Sequence, residues 1–179
     1  MPLRIISGNH KGRPIHIPAT MQLRPTTDAG KETLFNILGN YFVFEALSVL
    51  DLFSGTGNIS YEFSSRGVPD VIAVDNNNSS VKFIKETAVK LKMDGLRALR
   101  GDAFKFIEEC DCTFDIVFAD PPYAHKDICL LPELVINNNL LKKNGWFILE
   151  HGPRLDLEDQ ACYFEKRRIG NVNFSIFKP

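Results

Sequence analysis

The chain lacks any long hydrophobic run, and this absence limits where it can work. None of its apolar stretches approaches the roughly 18 consecutive apolar residues that a membrane-spanning helix requires. The first residues, MPLRIISGNHKGR, contain no apolar segment of the kind found in secretory signal peptides. With 44% hydrophobic and 24% charged residues, the composition is that of an ordinary globular protein. We therefore expect a cytoplasmic protein that has no membrane contact.

Cysteine is scarce, and its spacing does not suit a zinc site or a disulfide framework. Among the four cysteines, Cys110 and Cys112 form a C-x-C pair, which is tighter than the usual C-x2-C of zinc sites. No pair of histidines accompanies them. The sequence therefore predicts free thiols, buried or half-buried in a reducing compartment, with no disulfide and no metal. The other two cysteines are Cys129 and Cys162.

A strong overall charge is also absent, but the charges that are present are unevenly distributed. The net charge is −1, yet residues 1–31 carry five basic side chains against a single acid, Asp28. The rest of the chain carries 16 basic and 21 acidic side chains. A basic N-terminal segment on an acidic body favours a polyanion bound at one end of the protein. The five basic residues are Arg4, Lys11, Arg13, Arg24 and Lys31.

From Ser48 onward, short apolar runs alternate with amphipathic stretches. Five runs predict strands, and apolar residues recur at helical spacing between them, most clearly over residues 81–91. Strands that alternate with helices form right-handed crossovers and a mostly parallel sheet. Two further runs joined by Gly170-Asn171 predict a final antiparallel hairpin. The five runs are 49–53, 71–74, 96–99, 114–119 and 146–149, and the hairpin strands are 162–168 and 172–177.

The N-terminal stretch has a different texture. Short β-like runs at residues 3–7 and 15–17 are separated by glycine and proline, which predicts a small hairpin or an extended arm. The following loop ends in a helix cap at Thr27 or Asp28.

The length of the chain suits one domain. A chain of 179 residues can bury a substantial core but is too short for two ordinary domains. We expect a single domain over residues 1–179, in which 1–31 form a basic extension and 48–179 form the catalytic α/β core.

The segment VLDLFSGTG, residues 49–57, predicts a strand that runs into a glycine turn and then a helix. Gly55 and Gly57 let the backbone approach a ligand and adopt angles that a side chain disfavours. Asp75 lies twenty residues beyond Gly55 at the end of the second strand, where doubly wound folds place an acid that binds ribose hydroxyls. Together these features predict a site for a nucleoside cofactor.

S-adenosylmethionine matches this site better than a nicotinamide dinucleotide. A dinucleotide fingerprint needs a third glycine where this chain has Ser60. Asp51 ends the first strand, and its carboxylate disfavours a pyrophosphate but suits a cationic amino-acid group. The pattern resembles motifs I and II of class I methyltransferases. In that class an acid at the position of Asp102, followed here by Ala103, binds adenine, although Asp102 is also a good helix cap. The cofactor-binding residues that the resemblance implies are Asp51, Phe53, Ser54, Gly55, Gly57, Asp75, Asn76, Asp102, Ala103 and Asp120.

The most specific signal is Asp120-Pro-Pro-Tyr123, directly after the apolar run 114–119. An exocyclic amine on a base is a poor nucleophile because its lone pair is delocalised into the ring. Asp120 and the carbonyl of Pro121 can each accept one N–H of such an amine, while Tyr123 can stack on the base for ~1–3 kcal/mol. Catalysis then comes mainly from positioning of an activated methyl donor, without a metal. The predicted catalytic residues are Asp120, Pro121, Pro122 and Tyr123.

This motif resembles motif IV of amino methyltransferases acting on adenine N6, cytosine N4, guanine N2 or a glutamine amide, and it does not choose among them. The N-terminal segment does, because it resembles the family of small-subunit ribosomal RNA guanine-N2 methyltransferases. The resemblance covers almost the whole chain, through RIISG, KGR, LRPTTD, KETLFN, DLFSGTG, AVD, GDA and DPPY. One departure is Ala29-Gly30, where that family usually has a bulky or basic pair.

The resemblance implies a class I methyltransferase fold, which is Rossmann-like. This fold has a seven-stranded, mostly parallel sheet with an antiparallel C-terminal hairpin and helices on both faces. The implied reaction transfers a methyl group to the N2 amine of one guanine in 16S rRNA. We expect a monomer that acts on the assembling small ribosomal subunit rather than on free RNA. The implied RNA-binding residues are Arg4, Lys11, Arg13, Arg24, Thr26, Thr27, Asp28 and Lys31.

Two alternatives remain open. A DNA adenine or cytosine amino methyltransferase shares the motif but usually carries a separate target-recognition domain, for which 179 residues leave no room. A non-catalytic RNA-binding assembly factor that keeps the fold needs neither residues 51–57 nor residues 120–123 in this form. His151, which follows Glu150, is not expected to be an acid–base catalyst, because Asp120 already holds the amine.

Overall fold

The computed structural model describes residues 3–19, 21 and 28–179 of the chain. Its strands are β1 (Leu3–Arg4), β2 (Pro14–Ile15), β3 (Ser48–Leu52), β4 (Asp70–Asp75), β5 (Leu96–Arg100), β6 (Phe114–Ala119), β7 (Leu141–His151), β8 (Tyr163–Ile169) and β9 (Val172–Phe177). Its α-helices are α1 (Asp28–Gly39), α2 (Asn58–Ser65), α3 (Asn78–Leu91), α4 (Ala103–Glu109) and α5 (Leu131–Asn137). Within the described residues, none of the helices has both the length and the apolar character needed to cross a membrane.

Seven of the strands form one sheet in the order β5-β4-β3-β6-β7-β9-β8. The first five of these run parallel, and β9 pairs antiparallel with both β7 and β8. The predicted fold class, a mostly parallel sheet that ends in an antiparallel hairpin, is therefore confirmed. Its order also matches the class I methyltransferase fold that the resemblance implies.

Two details differ from the sequence prediction. β7 begins at Leu141 rather than at Trp146, and its pairing with β6 shifts register between Phe114 and Ile116. The early part of β7 is polar, so a search for apolar runs does not find it. In addition, Cys112 and Cys162 are exposed rather than buried or half-buried, because both lie in connecting segments before a strand.

Local signals in the sequence explain where two of the helices begin. The residue before α3 is Asn77, whose side-chain oxygen accepts hydrogen bonds from the backbone N–H of Ser79 at 2.8 Å and of Ser80 at 3.4 Å. The residue before α4 is Asp102, whose carboxylate accepts the N–H of Lys105 at 3.1 Å. Each cap satisfies N–H groups that have no partner inside the helix.

The sheet carries one hydrophobic layer on each face. Successive side chains of a strand point to opposite faces of the sheet. Val49 therefore lies in the first hydrophobic layer, under α1, α2 and α3, and Leu50 lies in the second, under α4 and α5. Both side chains are fully buried, and burial of each stabilises the fold by about 1.5–3 kcal/mol. The same alternation directs Asp51, a carboxylate, toward the first layer.

The N-terminal arm is a short hairpin that packs on α2. Only β1 and β2 pair, which is less than the predicted runs over 3–7 and 15–17. The backbone departs from the hairpin because Ile6 and Ser7 donate their N–H groups to the carboxylate of Glu62, at 2.8 and 3.0 Å. The apolar side chains of the arm extend the first hydrophobic layer, and they are Leu3, Ile5 and Ile15.

The arm and α2 meet so closely at Gly8 that a side chain would not fit. A Cβ atom on Gly8 would lie 1.8 Å from the carbonyl oxygen of Ser65. Next to this contact, Asn9 donates its N–H to the same carbonyl at 2.7 Å, and His10 donates its N–H to the Ser65 hydroxyl at 3.0 Å. The arm therefore follows α2 along its length and ends its hairpin at the C-terminal end of that helix.

Candidate active site

The direction in which the chain crosses the sheet changes between β3 and β6. From β3 the chain moves outward through β4 to β5, and it then returns to β6 on the other side of β3. In open α/β sheets such a switch point opens a crevice at the carboxyl ends of the strands, where ligands bind. The fold brings four acidic residues to this edge, one at or just beyond the end of each strand: Asp51, Asp75, Asp102 and Asp120.

The turn after β3 has an unusual backbone. Phe53, Gly55 and Gly57 all have positive φ angles, of 57°, 52° and 82°. At Gly57 the neighbours also exclude a side chain, because a Cβ atom would lie 2.8 Å from Cζ of Tyr61 and 2.9 Å from Cγ1 of Ile84. The predicted glycine turn is present, and α2 begins directly after it.

Asp75 at the end of β4 is tied to this turn. Its Oδ2 accepts the N–H of Gly55 at 2.8 Å, and its Oδ1 accepts the N–H of Asn77 at 2.8 Å. Asn76 is exposed beside it, and the hydroxyl of Ser54 donates to the carbonyl of Val74 at 3.2 Å. The spacing of twenty residues that singled out Asp75 therefore reflects a direct contact between the two strand ends.

Asp51 is fully buried and accepts a short hydrogen bond from the hydroxyl of Ser60 in α2. The pKa of this carboxyl is raised to about 7, mainly by burial and to a smaller extent by the negative charges of Asp75 and Glu150, while the hydrogen bonds from Ser60 oppose the rise. Sequence reasoning treated Ser60 only as a missing third glycine. The structure shows that its hydroxyl is the partner of the buried acid.

Asp102 and Ala103 lie where β5 gives way to α4. The Asp102 side chain is exposed and caps α4, so the helix-cap interpretation is correct, and Ala103 is buried. The contact with adenine that the resemblance implies stays a prediction.

The loop after β6 carries the predicted catalytic residues. Asp120 donates its N–H to the carbonyl of Leu52 in β3 at 3.4 Å, which joins the loop to the strand that carries the glycine turn. A turn follows in which His125 donates its N–H to the carbonyl of Pro122 at 2.8 Å. This bond uses the carbonyl of Pro122 rather than that of Pro121, the predicted acceptor for an amine.

Tyr123 is 42% exposed, and its ring packs against Gly152 just beyond β7. A Cβ atom on Gly152 would lie 3.2 Å from Cδ2 of Tyr123, so the absence of a side chain there lets the ring lie close to the backbone. A large aromatic ring at this edge of the sheet suits stacking on a base.

His151 supports this contact from the interior. It is fully buried, with Nδ1 at 2.9 Å from the carbonyl oxygen of Gly152 and Nε2 at 2.8 Å from the hydroxyl of Ser175. A carbonyl only accepts, so Nδ1 carries the hydrogen and Nε2 accepts from Ser175 when the ring is neutral. Burial lowers the pKa of His151, which favours this neutral form. The expectation that His151 is not an acid–base catalyst stays a prediction.

The predicted RNA-binding residues of the arm are spread along α2. Arg4 lies near the start of this helix, with its Nε at 3.6 Å from the carboxylate of Asp28, and both side chains are exposed. Lys11 and Arg13 are exposed on the hairpin, whose tip packs at the other end of α2. Three predicted residues lie outside the part of the chain that the structure describes, and these are Arg24, Thr26 and Thr27.

Lys31 does not belong to this exposed set. Its side chain is 1% exposed, and its Nζ donates to the carbonyl of Arg4 at 2.6 Å and to Oδ1 of Asn58 at 2.8 Å. Glu62, also buried, lies 3.5 Å from the same ammonium and accepts a hydrogen bond from Arg66 at 2.9 Å. The prediction that Lys31 contacts RNA is therefore wrong, because its charge is neutralised inside the protein. Nothing in the sequence pattern alone distinguishes Lys31 from the exposed basic residues.

Comparisons with known proteins agree with this architecture. The family described as Conserved hypothetical protein 95 matches the chain over residues 3–178. The protein named ribosomal RNA small subunit methyltransferase D in Haemophilus influenzae is 33% identical over 98% of this chain and 93% of its own length. The protein of the same name in Escherichia coli is 33% identical over 94% of this chain and 76% of its own length.

Solved structures show the same fold. The Escherichia coli protein YhhF is 25% identical and superposes with a TM-score of 0.86, over 99% of this chain and 98% of its own. An RNA methyltransferase from Salinibacter ruber, solved with S-adenosylhomocysteine, is 15% identical and superposes with a TM-score of 0.68, over 87% of this chain and 93% of its own. The second likeness concerns the fold alone.

Proposed function

This chain belongs to the family described as Conserved hypothetical protein 95, and we propose that it methylates the N2 amine of one guanine in 16S rRNA. The enzyme is a class I methyltransferase whose methyl donor is S-adenosylmethionine. The names of its relatives support ribosomal RNA of the small subunit as the substrate. The single observation that carries the chemistry is the position of residues 120–123 at the switch point of the sheet, joined to the strand that leads into the glycine turn.

The residues at the edge of the sheet suit S-adenosylmethionine and not a dinucleotide. The acids Asp51, Asp75 and Glu150 are near enough for the last two to raise the pKa of the first. Such a cluster favours the ammonium and sulfonium groups of S-adenosylmethionine and opposes a pyrophosphate. We propose that Asp75 holds the ribose and Asp102 the adenine. The remaining proposed contacts come from Phe53, Ser54, Gly55, Gly57, Asn76, Ala103 and Asp120.

When bound, S-adenosylmethionine supplies a methyl group already activated by its positive sulfur. The protein then has to hold the amine and to receive its proton. The carboxylate of Asp120 and the carbonyl of Pro121 accept the two N–H groups of the amine, which orients its lone pair. The nitrogen becomes cationic as it gains the methyl group, and the Asp120 carboxylate is the adjacent acceptor for the proton that it loses. Tyr123 stacks on the base, and its contact with Gly152 fixes the ring.

The preferred substrate in this proposal is the assembling small subunit in the cytoplasm, bound by a monomer. The exposed residues Arg4, Lys11 and Arg13 contact RNA phosphates, which position the substrate without reading its sequence. We propose a single domain over 1–179 with residues 1–31 as its extension, and the burial of Leu3, Ile5 and Ile15 in the first hydrophobic layer supports it. A DNA methyltransferase and a non-catalytic assembly factor are not favoured by the relatives, which are named as rRNA methyltransferases.

The proposed site can be tested by measuring transfer of a labelled methyl group to small-subunit particles that lack the modification. Asp120→Asn should lower the single-turnover rate by a factor of about 100 or more, because the amide oxygen can still accept an N–H of the amine but is not basic enough to take up its proton. The matched control is Asp127→Asn, an exposed acid in the same loop, which should transfer at the wild-type rate. Both variants should bind S-adenosylhomocysteine within about threefold of wild type.

A wild-type rate for Asp120→Asn would contradict the assigned chemistry. Protein-free 16S rRNA, tested in parallel, should accept the methyl group much more slowly than the particle, and an equal rate would remove the assembling subunit as the substrate.

A further inference from the structure

Three aromatic side chains from separate segments meet beside the predicted cofactor site, and we call them the aromatic cluster: Phe53, Phe104 and His125. The rings of Phe104 and His125 are stacked, with centroids 5.0 Å apart and an interplanar angle of 20°. Phe53 meets both rings edge-on, at 6.1 Å from Phe104 and 6.2 Å from His125. Stacked and edge-on arrangements at these distances are favourable for aromatic pairs.

The cluster joins the three segments on which the proposed function depends. Phe53 belongs to the turn after β3, where it has a positive φ of 57°. Phe104 follows Ala103 in the first turn of α4, next to the proposed adenine contact. His125 lies two residues beyond Tyr123 in the loop that carries the predicted catalytic residues.

His125 is also the anchor of its own loop. Within residues 122–127, all of which the structure describes, it is the only one that is not exposed. Its backbone N–H donates to the carbonyl of Pro122, and its Nδ1 accepts the backbone N–H of Asp127 at 3.2 Å. The ring is therefore held on one side by the loop backbone and on the other by Phe104.

We propose that His125 is a positioning residue that holds the loop of Asp120–Tyr123 against the adenine side of the cofactor site. The inference rests on the proposed function, because it takes that loop as the carrier of the base. The stacked ring contributes its flat face rather than a proton. Its loss removes the stack on Phe104 and the contact with the N–H of Asp127, so the exposed part of the loop can shift, and small displacements of a reacting pair lower the rate by large factors.

The test compares His125→Ala with His125→Phe, because phenylalanine keeps a flat ring for Phe104 but has no imidazole nitrogen. Single-turnover methyl transfer to small-subunit particles is measured at saturating S-adenosylmethionine. Alanine should lower the rate about tenfold and phenylalanine should stay within twofold of wild type. The melting temperature of both variants should change little, since the site is a surface loop. A rate for His125→Phe as low as that of alanine would overturn the proposal.

A second arm measures whether His125 and Phe104 act together. If the stack holds the loop, His125→Ala in a Phe104→Ala background should cost no more than twofold, whereas independent effects would multiply. Multiplying effects would therefore overturn the proposal. Tighter binding of S-adenosylhomocysteine by His125→Ala would do the same, because the ring would then obstruct the cofactor rather than hold the loop.

The outcome is separable from that of the proposed function. If wild type transfers no methyl group to the particles, the proposed function itself fails. If wild type is active and His125→Ala matches it, only the role of His125 is lost.

Discussion

Two residues, Asp51 in β3 and Gly57 in the turn after it, show how local chemistry shapes the proposed cofactor site. Gly57 combines a left-handed backbone with neighbours that exclude a Cβ atom. Asp51 is a buried acid whose pKa is raised to about 7 mainly by burial. The glycines and the acid were predicted from the sequence, since both follow from the motif. The burial of Asp51 and its contact with Ser60 were not, because they depend on how α2 packs on the sheet.

Two effects favour glycine at position 57: the positive φ angle, and the lack of space for a Cβ atom. A comparison with Gly12 separates them. Gly12 has a φ of 78°, close to that of Gly57, but no atom lies within 4 Å of the place of its Cβ. Gly12→Ala should therefore cost only the backbone strain, about 1–2 kcal/mol. Gly57→Ala should cost about 1–3 kcal/mol more, because the new methyl group meets Tyr61 and Ile84. Urea unfolding of both variants measures the difference, and equal losses would refute the steric explanation.

The raised pKa of Asp51 predicts that cofactor binding depends on pH. The protein without cofactor holds a proton on Asp51 below about pH 7, whereas a cationic ligand favours the ionised form. The dissociation constant for S-adenosylhomocysteine should therefore rise as the pH falls from 7.5 to 5.5, approaching about tenfold per pH unit well below the pKa. Asp51→Asn should bind more weakly at pH 7.5 and lose this dependence. Calorimetric titrations of both proteins test it, and the variant also controls for titration of the ligand's own amine.

The same acid affects stability with a definite sign. A pKa raised above its unfolded value contributes stability that is present at low pH and is lost as the pH rises through about 7. At pH 8 the cofactor-free Asp51→Asn protein should therefore melt at a higher temperature than wild type, by a few degrees for each kcal/mol gained. A lower melting temperature would show that the ionised acid stabilises the fold.

At the scale of elements, the arm and α2 act as one unit because of Glu62. Its buried carboxylate receives hydrogen bonds from the N–H groups of Ile6 and Ser7 and ion pairs with Lys31 and Arg66. The sequence predicted an N-terminal hairpin but not this anchor, since a glutamate in a helix usually faces solvent. The same contact keeps the hairpin short, because the N–H groups of Ile6 and Ser7 bind Glu62 and do not pair with another strand.

Removal of the charge on Glu62 should release the arm. Glu62→Gln leaves Lys31 buried without its acid, which should destabilise the protein by about 3–5 kcal/mol. The control is Glu86→Gln on α3, whose ion pair with Lys82 is exposed at 3.8 Å and should be worth less than about 1 kcal/mol. Urea unfolding gives the stabilities, and hydrogen exchange should speed up most at the amides of Ile6 and Ser7. Exchange that rises uniformly instead would contradict a specific anchor.

At the scale of the whole molecule, the fold separates the acidic residues of the proposed cofactor site from the basic side chains of the arm. The acidic residues of the proposed cofactor site lie at the carboxyl edge of the sheet, whereas the arm carries basic side chains along α2 toward its other end. An eight-residue helix is about 12 Å long, so Lys11 at the hairpin lies roughly that far from the glycine turn. RNA that reaches Tyr123 must therefore also pass over the flank of the protein to contact Lys11.

If RNA passes over this flank of the protein, Lys11 should contribute to the affinity for RNA. Lys11→Ala should weaken binding to small-subunit particles several-fold and lower the slope of log affinity against log salt by about 1, because one phosphate contact is lost. Lys90→Ala, which removes an exposed lysine at the end of α3, should change neither quantity. Binding titrations at several salt concentrations measure both, and identical slopes for the two variants would contradict the path.

The sheet and the position of the site could be predicted because alternating apolar runs and strand-end motifs are local properties of the chain. The surroundings of individual charged side chains could not be predicted, and Lys31 is the clearest case. It was grouped with the basic residues of the arm, but long-range packing against Asn58 and Glu62 buries it. His125 had no motif to identify it either, because its contact with Phe104 joins a loop to a helix that is separate from it in sequence.

The reaction proposed for this protein is methylation of N2 of a guanine in 16S rRNA. The most direct measurement is mass spectrometry of the nucleosides released from small-subunit particles after reaction with the enzyme and labelled S-adenosylmethionine. Wild type should give labelled N2-methylguanosine from one position of 16S rRNA, and Asp120→Asn should form the same nucleoside at a rate about 100 times lower or less. Label in a methylated adenine or cytosine, or in DNA offered in its place, would contradict it.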